Sequence, residues 1–266
     1  VGGVGFSLKW DMGFMHDTLD YMALDPYFRA WNHNKLTFSM MYAFSENYVL
    51  AYSHDEVVHG KKTIIDKIFG EYEDKFPQAR VLYMYMFMHP GKKLNFMGNE
   101  IAMFREWDET KEPDYFLLKY PNHDAFRHYI QELNRLYVTY PAFYELDYDP
   151  AGFAWETMND GGHNVFGIRR TGNDREKSIL ALFNFSDQQQ DYWLNPGRGV
   201  RATALLDTDW ERFGGHTKEQ HAETQDKLAF PKELDKKRPD WYCTDQPGVL
   251  KLPRFSAVLM LLEQSE

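Results

Sequence analysis

Apolar and polar positions change rhythm near Pro141. Before it, short β-branched or aromatic runs alternate with longer apolar segments at helical spacing. Val4–Lys9 (VGFSLK) is predicted as a strand ending at Trp10-Asp11. Lys35–Phe44 has helical length, with Leu36, Met40, Met41 and Phe44 on one face. Tyr48–Tyr52 (YVLAY) is a strand that ends at Ser53-His54-Asp55-Glu56. Pro77–His89 opens on a proline suited to a first helical turn and is apolar nearly all round, as a buried helix is. Its methionines are core material. Lys93–Met97 (KLNFM) reads as a strand ending at Gly98-Asn99-Glu100. Asp124–Tyr140 carries Phe126, Tyr129, Ile130, Leu133, Leu136, Tyr137 and Tyr140 at helical spacing, and Pro141 stops it. Strand, helix, strand, helix, strand, helix implies parallel strands with crossover helices.

After Pro141 the rhythm shortens. Gly152–Met158, Asn164–Arg170, Ser178–Phe185, Asp191–Leu194, Arg201–Leu206, Gly248–Leu252 and Phe255–Leu262 read as strands. Turn clusters such as Asn159-Asp160-Gly161-Gly162 and Asn195-Pro196-Gly197 separate them, the signature of an all-β sandwich. A polar stretch, Asp207–Asp245, interrupts that pattern and reads as an excursion on the sandwich surface. The expected division is therefore residues 1–142, α/β, and 143–266, β-sandwich.

Composition narrows the functions. Acidic side chains outnumber Lys plus Arg by 40 to 30. A net charge of −10 repels phosphate backbones, so nucleic acid is not the expected partner. No apolar run reaches the roughly 18 residues that a membrane helix requires, and the first residues carry no basic region of a signal peptide. One cysteine, Cys243, allows neither an internal disulfide nor a thiolate-rich zinc site, and points to a reducing, cytoplasmic setting. Aromatic residues make up 17% of the chain. They serve large cores, and they also suit the apolar faces of sugar rings.

Chemistry in parallel-strand folds sits at the carboxyl ends of the strands. Here those ends carry Trp10-Asp11, His54-Asp55-Glu56 and Asn99-Glu100. A strand-end His beside an Asp can move protons or bind hydroxyls, and a carboxylate can stabilise a cationic transition state. The same tripeptide also serves as a capping or salt-bridging cluster. His54 and His59 are five residues apart, which is not a zinc-protease spacing, so no metal is expected. Gly60-Lys61-Lys62-Thr63 lacks the first glycine of a phosphate loop, and no GxSxG occurs. Lys9-Trp10-Asp11, the continuing segment Gly13–Tyr21, Trp31-Asn32-His33 and Arg105-Glu106-Trp107-Asp108 place aromatics beside polar groups in what read as loops. Each suits sugar recognition, and each also suits a packed loop at the rim of the sheet.

These residues, in this order, resemble the glycogen (1,4-α-glucan) branching enzymes of the α-amylase superfamily. The matching stretches are KWDMGFMHDTLDYM at Lys9–Met22, LTFSMMYAFSENYVLAYSHDEVVHGKKTIID at Leu36–Asp66, PGKKLNFMGNEIAMFREWDE at Pro90–Glu109 and LDYDPAGFAWE at Leu146–Glu156. SHDEVVHGK is the most specific of them. The resemblance implies a partial (β/α)8 barrel, with the family's strands six to eight in Val4–Lys9, Tyr48–Tyr52 and Lys93–Met97, followed by the β-sandwich. It implies retaining chemistry in which an α-1,4 bond is cut and the chain passes to a 6-hydroxyl as an α-1,6 branch. It makes Asp55 the third catalytic carboxylate with His54 beside it, and Lys9, Trp10, Asp11 and Glu56 candidate substrate-binding residues. No organic cofactor or metal is implied. The family's nucleophile and acid/base motifs match nothing in these residues and are expected upstream of Val1, so that about three eighths of the barrel is represented. The chain alone is expected to be inactive, to expose uncovered strand edges and to rely on a companion part of the same enzyme. Alternatives are an α-glucan-binding fragment without catalysis and an α-amylase-like hydrolase.

Overall fold

The computed structural model describes residues 5–160, 164–219, 243–245 and 247–264. Its first part comprises β1 (Lys9–Trp10), α1 (Met12–Ala23), the short helices α2 (Pro26–Arg29) and α3 (Asn34–Thr37), β2 (Tyr48–Tyr52), α4 (Ile64–Lys67), α5 (Tyr72–Met88), β3 (Lys92–Asn95) and α6 (Pro121–Thr139). The three strands form one parallel sheet in the order β1-β2-β3, as the alternation of elements requires. The second part adds β4 (Phe153–Asp160), β5 (Val165–Thr171), β6 (Lys177–Asn184), β7 (Gln190–Leu194), β8 (Val200–Asp207), β9 (Cys243–Thr244), β10 (Gly248–Leu252) and β11 (Ser256–Gln264). Among the described residues these make a six-stranded antiparallel sheet, β4-β5-β6-β11-β8-β9, and a two-stranded one, β10-β7.

Side-chain alternation assigns the two faces of the large sheet to different cores. On β6, Ile179, Ala181 and Phe183 join α5 and the parallel strands in one apolar cluster. Leu180 and Leu182 join Leu194, Leu250 and Leu252 of the small sheet in another. Burial on both faces explains why β6 and β11 read as continuous apolar runs. The same sandwiching explains α5, whose residues from Ala79 to Met88 are all buried, the methionines included.

Buried arginines tie the two parts together. Arg80 of α5 donates to the carbonyls of Thr208 (2.7 Å) and Phe213 (2.8 Å). Arg29 of α2 donates to the carbonyl of Phe185 (2.9 Å). Arg170 of β5 donates to that of Met88 (3.2 Å) and to the Asp147 carboxylate (2.9 Å). Such charge-assisted bonds satisfy carbonyls that a helix–sheet contact would otherwise strand from water.

Several expectations are corrected. The Val4–Lys9 strand is confined, in its described part, to Lys9 and Trp10; Val4 lies outside the described residues. Gly13–Tyr21 is not loop but the body of α1, started by Asp11, whose carboxylate accepts from the Phe14 N–H (2.8 Å). Lys35–Phe44 is not one helix: α3 gives way to a 3-10 turn at Phe38–Met41. Phe38 and Met41 eclipse one another there and both are exposed, so no packed face drives a regular α-helix. α5 starts at Tyr72, so Pro77 lies inside it and not at its first turn. Glu73 and Asp74 in the first turn suit the positive end of the helix dipole and move the true start upstream. The stretch Asp207–Asp245 is not wholly a surface excursion. Trp210 and Phe213 are buried, the latter against Tyr129 of α6 at 5.4 Å between ring centres. Residues 220–242 of that stretch lie outside the described residues.

Candidate active site at the carboxyl ends of the parallel strands

β2 is buried along its whole length, so its chain direction is fixed by packing. It delivers Ser53, whose hydroxyl accepts from the Asp55 N–H (3.3 Å) and starts a 3-10 turn over His54–Glu56. This turn lifts His54 and Asp55 out of the sheet. Their side chains are 45% and 51% exposed, with His54 Nε2 3.2 Å from Asp55 Oδ1.

Three aromatic side chains surround the His54 ring, from the ends of the strands on either side of β2. Trp10 follows from β1 (6.4 Å), Phe96 from β3 (5.7 Å), and Trp107 from the loop beyond (6.0 Å). Phe96 and Trp107 also meet edge to face at 5.3 Å. An open cleft of about 470 Å³ runs from His54 and Asp55 along Arg105, Trp107 and Asp108. That volume lies within the range of small-ligand sites.

The loop after β3 is stapled to the loop after β2. Glu106 accepts from the backbone N–H groups of Gly60 (2.8 Å) and Lys62 (2.6 Å), and the Trp107 N–H donates to the Val57 carbonyl (2.9 Å). The Gly60 and Lys62 bonds hold the Glu106 carboxyl below its usual pKa, the Gly60 bond most of all. They also maintain a strained segment: His59 (φ 58°) and Lys62 (φ 67°) both adopt left-handed backbone without being glycine. Asp108 is held low in pKa mainly by the Thr110 hydroxyl (2.6 Å), with Lys111 assisting. The Arg105 guanidinium is paired with Asp114 at 2.7 Å.

Of the residues singled out in the sequence, the structure brings His54, Asp55 and Trp10 together. Arg105, Glu106, Trp107 and Asp108, also singled out, line the same cleft, whereas Lys9, Asp11 and Glu56 do not. Lys9 alternates to the face opposite Trp10, pairs with Glu46 at 3.5 Å and is 61% exposed at its side chain. Asp11 is buried, accepting from Phe14 N–H and from the Tyr42 hydroxyl (3.0 Å). Burial raises its pKa. Glu56 is also buried, 3.9 Å from Lys61 Nζ. Lys9 thus lies at an edge, and Asp11 and Glu56 in scaffold positions, outside the lining of the His54 cleft. Trp107 belongs to the Arg105–Asp108 run that the sequence offers for sugar recognition or a rim loop. Phe96 is not singled out there; the signal that could find it is an aromatic side chain directly beyond a strand end.

Comparison with known proteins fits this geometry. Residues 155–238 match the family described as the alpha amylase, C-terminal all-beta domain. The fold is similar to that of a pullulanase from Anoxybacillus sp. LM18-11 solved with maltotetraose (TM-score 0.62, 12% identity, 95% of this chain and 34% of that one). It is also similar to an Anoxybacillus alpha-amylase (TM-score 0.55, 14% identity, 100% of this chain and 49% of that one). Its fold, and the sequence of residues 155–238, are thus similar to those of the alpha-amylase class of proteins. Within that class its sequence likeness is to the 1,4-alpha-glucan branching enzymes GlgB. It is 40% identical to that of Oceanobacillus iheyensis over 263 residues, 98% of this chain and 40% of that protein. It is 43% identical to that of Aquifex aeolicus over 216 residues, 81% of this chain and 34% of that protein. The chain thus spans about two fifths or less of the length of these relatives.

Proposed function

We propose that this chain acts as the C-terminal portion of a cytoplasmic 1,4-α-glucan branching enzyme. Residues 1–142 then form the last three strand–helix units of a (β/α)8 barrel, and 143–266 the β domain behind it. The observation that carries this reading is the turn SHDEVVHGK itself. It leaves a buried parallel strand and holds His54 and Asp55 half-exposed beside Trp10 and Trp107, in a chain 40% identical to a branching enzyme over nearly its whole length.

In retaining glycoside chemistry the scissile bond breaks through an oxocarbenium-like transition state with a flattened ring. The glucosyl group is held covalently on a carboxylate nucleophile, the leaving oxygen takes a proton from an acid, and the 6-hydroxyl of another chain then displaces the enzyme. The nucleophile and the acid belong to the part of the relatives that this chain does not span. Asp55 contributes the third carboxylate: it grips ring hydroxyls whose bonds strengthen as charge develops, and so binds the transition state more tightly than the substrate. His54 donates to a neighbouring hydroxyl, and the Trp10 and Trp107 rings offer apolar faces to the sugar.

The test joins this chain to the N-terminal portion of the Oceanobacillus iheyensis enzyme and supplies amylose. New α-1,6 linkages counted by proton NMR are expected from the joined protein and none from the chain alone. Free short oligosaccharides without branches would make it a hydrolase. Absence of both products from a folded joined protein would overturn the proposal.

A further inference from the structure

A second aromatic cluster lies away from the His54 cleft and shares no lining residue with it. Tyr27, Phe28 and Trp31 project from α2 and the turn after it. Tyr27 and Trp31 are 70% and 67% exposed. Their rings meet at 5.3 Å and 62°, and Phe28 lies 6.3 Å from Trp31. Tyr27 and Trp31, with Pro26 and Ala30, form one wall of an open cleft of about 450 Å³. Its other wall is Ser186–Gln190, the turn between β6 and β7.

Both walls are built in advance. Arg29, between Phe28 and Ala30, is buried and donates to the carbonyl of Phe185, the residue before the opposing wall. It also holds Gln78 Oε1 (2.5 Å) and the Met22 carbonyl (3.2 Å). Asn164, at the start of β5, donates to the Pro26 carbonyl (3.5 Å) and is bonded to His33 Nε2 (2.8 Å). On the far wall the Ser186 hydroxyl bonds Asn184 Oδ1 (2.7 Å) and accepts from the Gln190 amide (3.1 Å). A buried arginine and a buried asparagine thus fix the aromatic wall to the polar one, which removes ordering cost from binding.

The chemistry of the walls selects the ligand. Among the described residues no Lys or Arg lines the cleft, so phosphate and nucleotide groups find no cation among them. Asp187, Gln188 and Gln190 offer carboxylate and amide groups that suit adjacent hydroxyls, opposite exposed rings that suit apolar C–H faces. Stacking surface on one side with neutral or acidic hydrogen-bonding groups on the other is the chemistry of a neutral polyhydroxyl chain. We propose that the Tyr27–Trp31 cleft is a non-catalytic holding site for an α-1,4-glucan chain. This rests on the glucan reading of the His54 cleft for the choice of sugar. Its role is to keep a polymer on the protein between turnovers.

The test is calorimetric titration of maltoheptaose into the full chain and its Trp31→Ala, Tyr27→Ala and Trp107→Ala variants. Circular dichroism checks the fold of each variant; the exposed Tyr27 and Trp31 rings should be removable without disturbing it, and Trp107 is partly buried. Trp31→Ala is expected to weaken binding by about tenfold or more, about 1.4 kcal/mol, with Trp31→Phe restoring part of it. Loss in Trp31→Ala but not in Trp107→Ala supports the holding site independently of the His54 cleft. Loss in Trp107→Ala alone overturns the holding site and leaves the glucan reading of the His54 cleft intact. Equal binding of cellohexaose overturns the assignment to α-1,4-glucan. No maltoheptaose binding by the wild-type chain overturns the holding site, whereas the branching assay on the joined protein judges the His54 cleft separately.

Discussion

Arg80 gives the most direct measure of how firmly the parallel-strand part is held to the β part. Its buried guanidinium makes two short bonds to carbonyls across the junction, 2.7 Å to Thr208 and 2.8 Å to Phe213. Burial lowers its pKa to about 10, which still leaves it charged at neutral pH, and Asp209 and Asp207 oppose that shift. Arg80→Met keeps the apolar stem and removes every donor. Each bond to a charged group is worth about 1.5–3 kcal/mol, so the two lost bonds set an upper range of about 3–6 kcal/mol. Relief of the desolvated charge offsets part of this, while the stranded carbonyls and nearby carboxylates add to the cost. The net expectation is a loss of about 3–5 kcal/mol, as for breaking a buried pair from one side. At roughly 2–4 °C per kcal/mol this is a fall in Tm of about 6–20 °C. Thermal and urea unfolding at pH 7, followed by near- and far-ultraviolet circular dichroism, would measure it. Stability within about 0.5 kcal/mol of wild type, the range of an ordinary surface change, would refute the reasoning. Apolar packing alone would then hold the junction.

Other expectations follow from the site and the buried charges. Asp55→Asn in the joined enzyme should lower turnover by roughly 10²-fold or more, the scale of losing one transition-state hydrogen-bonding group; turnover within a few-fold of wild type removes Asp55 from the catalytic set. Glu106→Gln should speed hydrogen exchange at the Gly60 and Lys62 amides at neutral pH. Because the folded Glu106 pKa is depressed, the wild-type staple should hold above the ordinary carboxylate range and weaken as pH falls through the lowered value. Unchanged exchange in the variant would show that the Trp107–Val57 bond suffices. Burial raises Asp207 to about 7, so the folded state retains a proton that the unfolded chain has lost. Its stabilising contribution is full below pH 3.8 and declines as pH rises toward 7. Asp207→Asn should remove that decline in a pH series of urea midpoints, and an unchanged slope would assign it elsewhere.

Much of this architecture was legible in the chain, and the failures have identifiable causes. β2, β3 and all seven expected sandwich strands are in place because each carries a run or alternation that suits a sheet, whereas the first strand is cut back to Lys9 and Trp10, both exposed. α1 was missed because its apolar positions, Phe14, Met15, Leu19 and Met22, are interleaved with His16, Asp17 and Asp20, which read as loop polarity. The capping role of Asp11 was the overlooked signal. Pro77 misled because a proline at a helix start is the commoner case. At the site, the His54-Asp55 turn was legible as a strand-end cluster. The aromatic box was not, because its members come from β1 and from the end of β3 and the loop beyond it, which only the sheet order places on either side of β2. Lys9 and Glu56 do not line the His54 cleft, since adjacency along the chain says nothing about which face a side chain takes.

The alternation on β6 has a consequence for how this protein tolerates change. Ile179, Ala181 and Phe183 answer to the helix side, and Leu180 and Leu182 to the small sheet. A single strand therefore carries two interleaved inheritances. Paired substitutions on one side should compensate or conflict with each other, while those on opposite sides accumulate nearly independently. The strand can drift in two registers of selection at once, but a one-residue insertion would exchange their contents and defeat both.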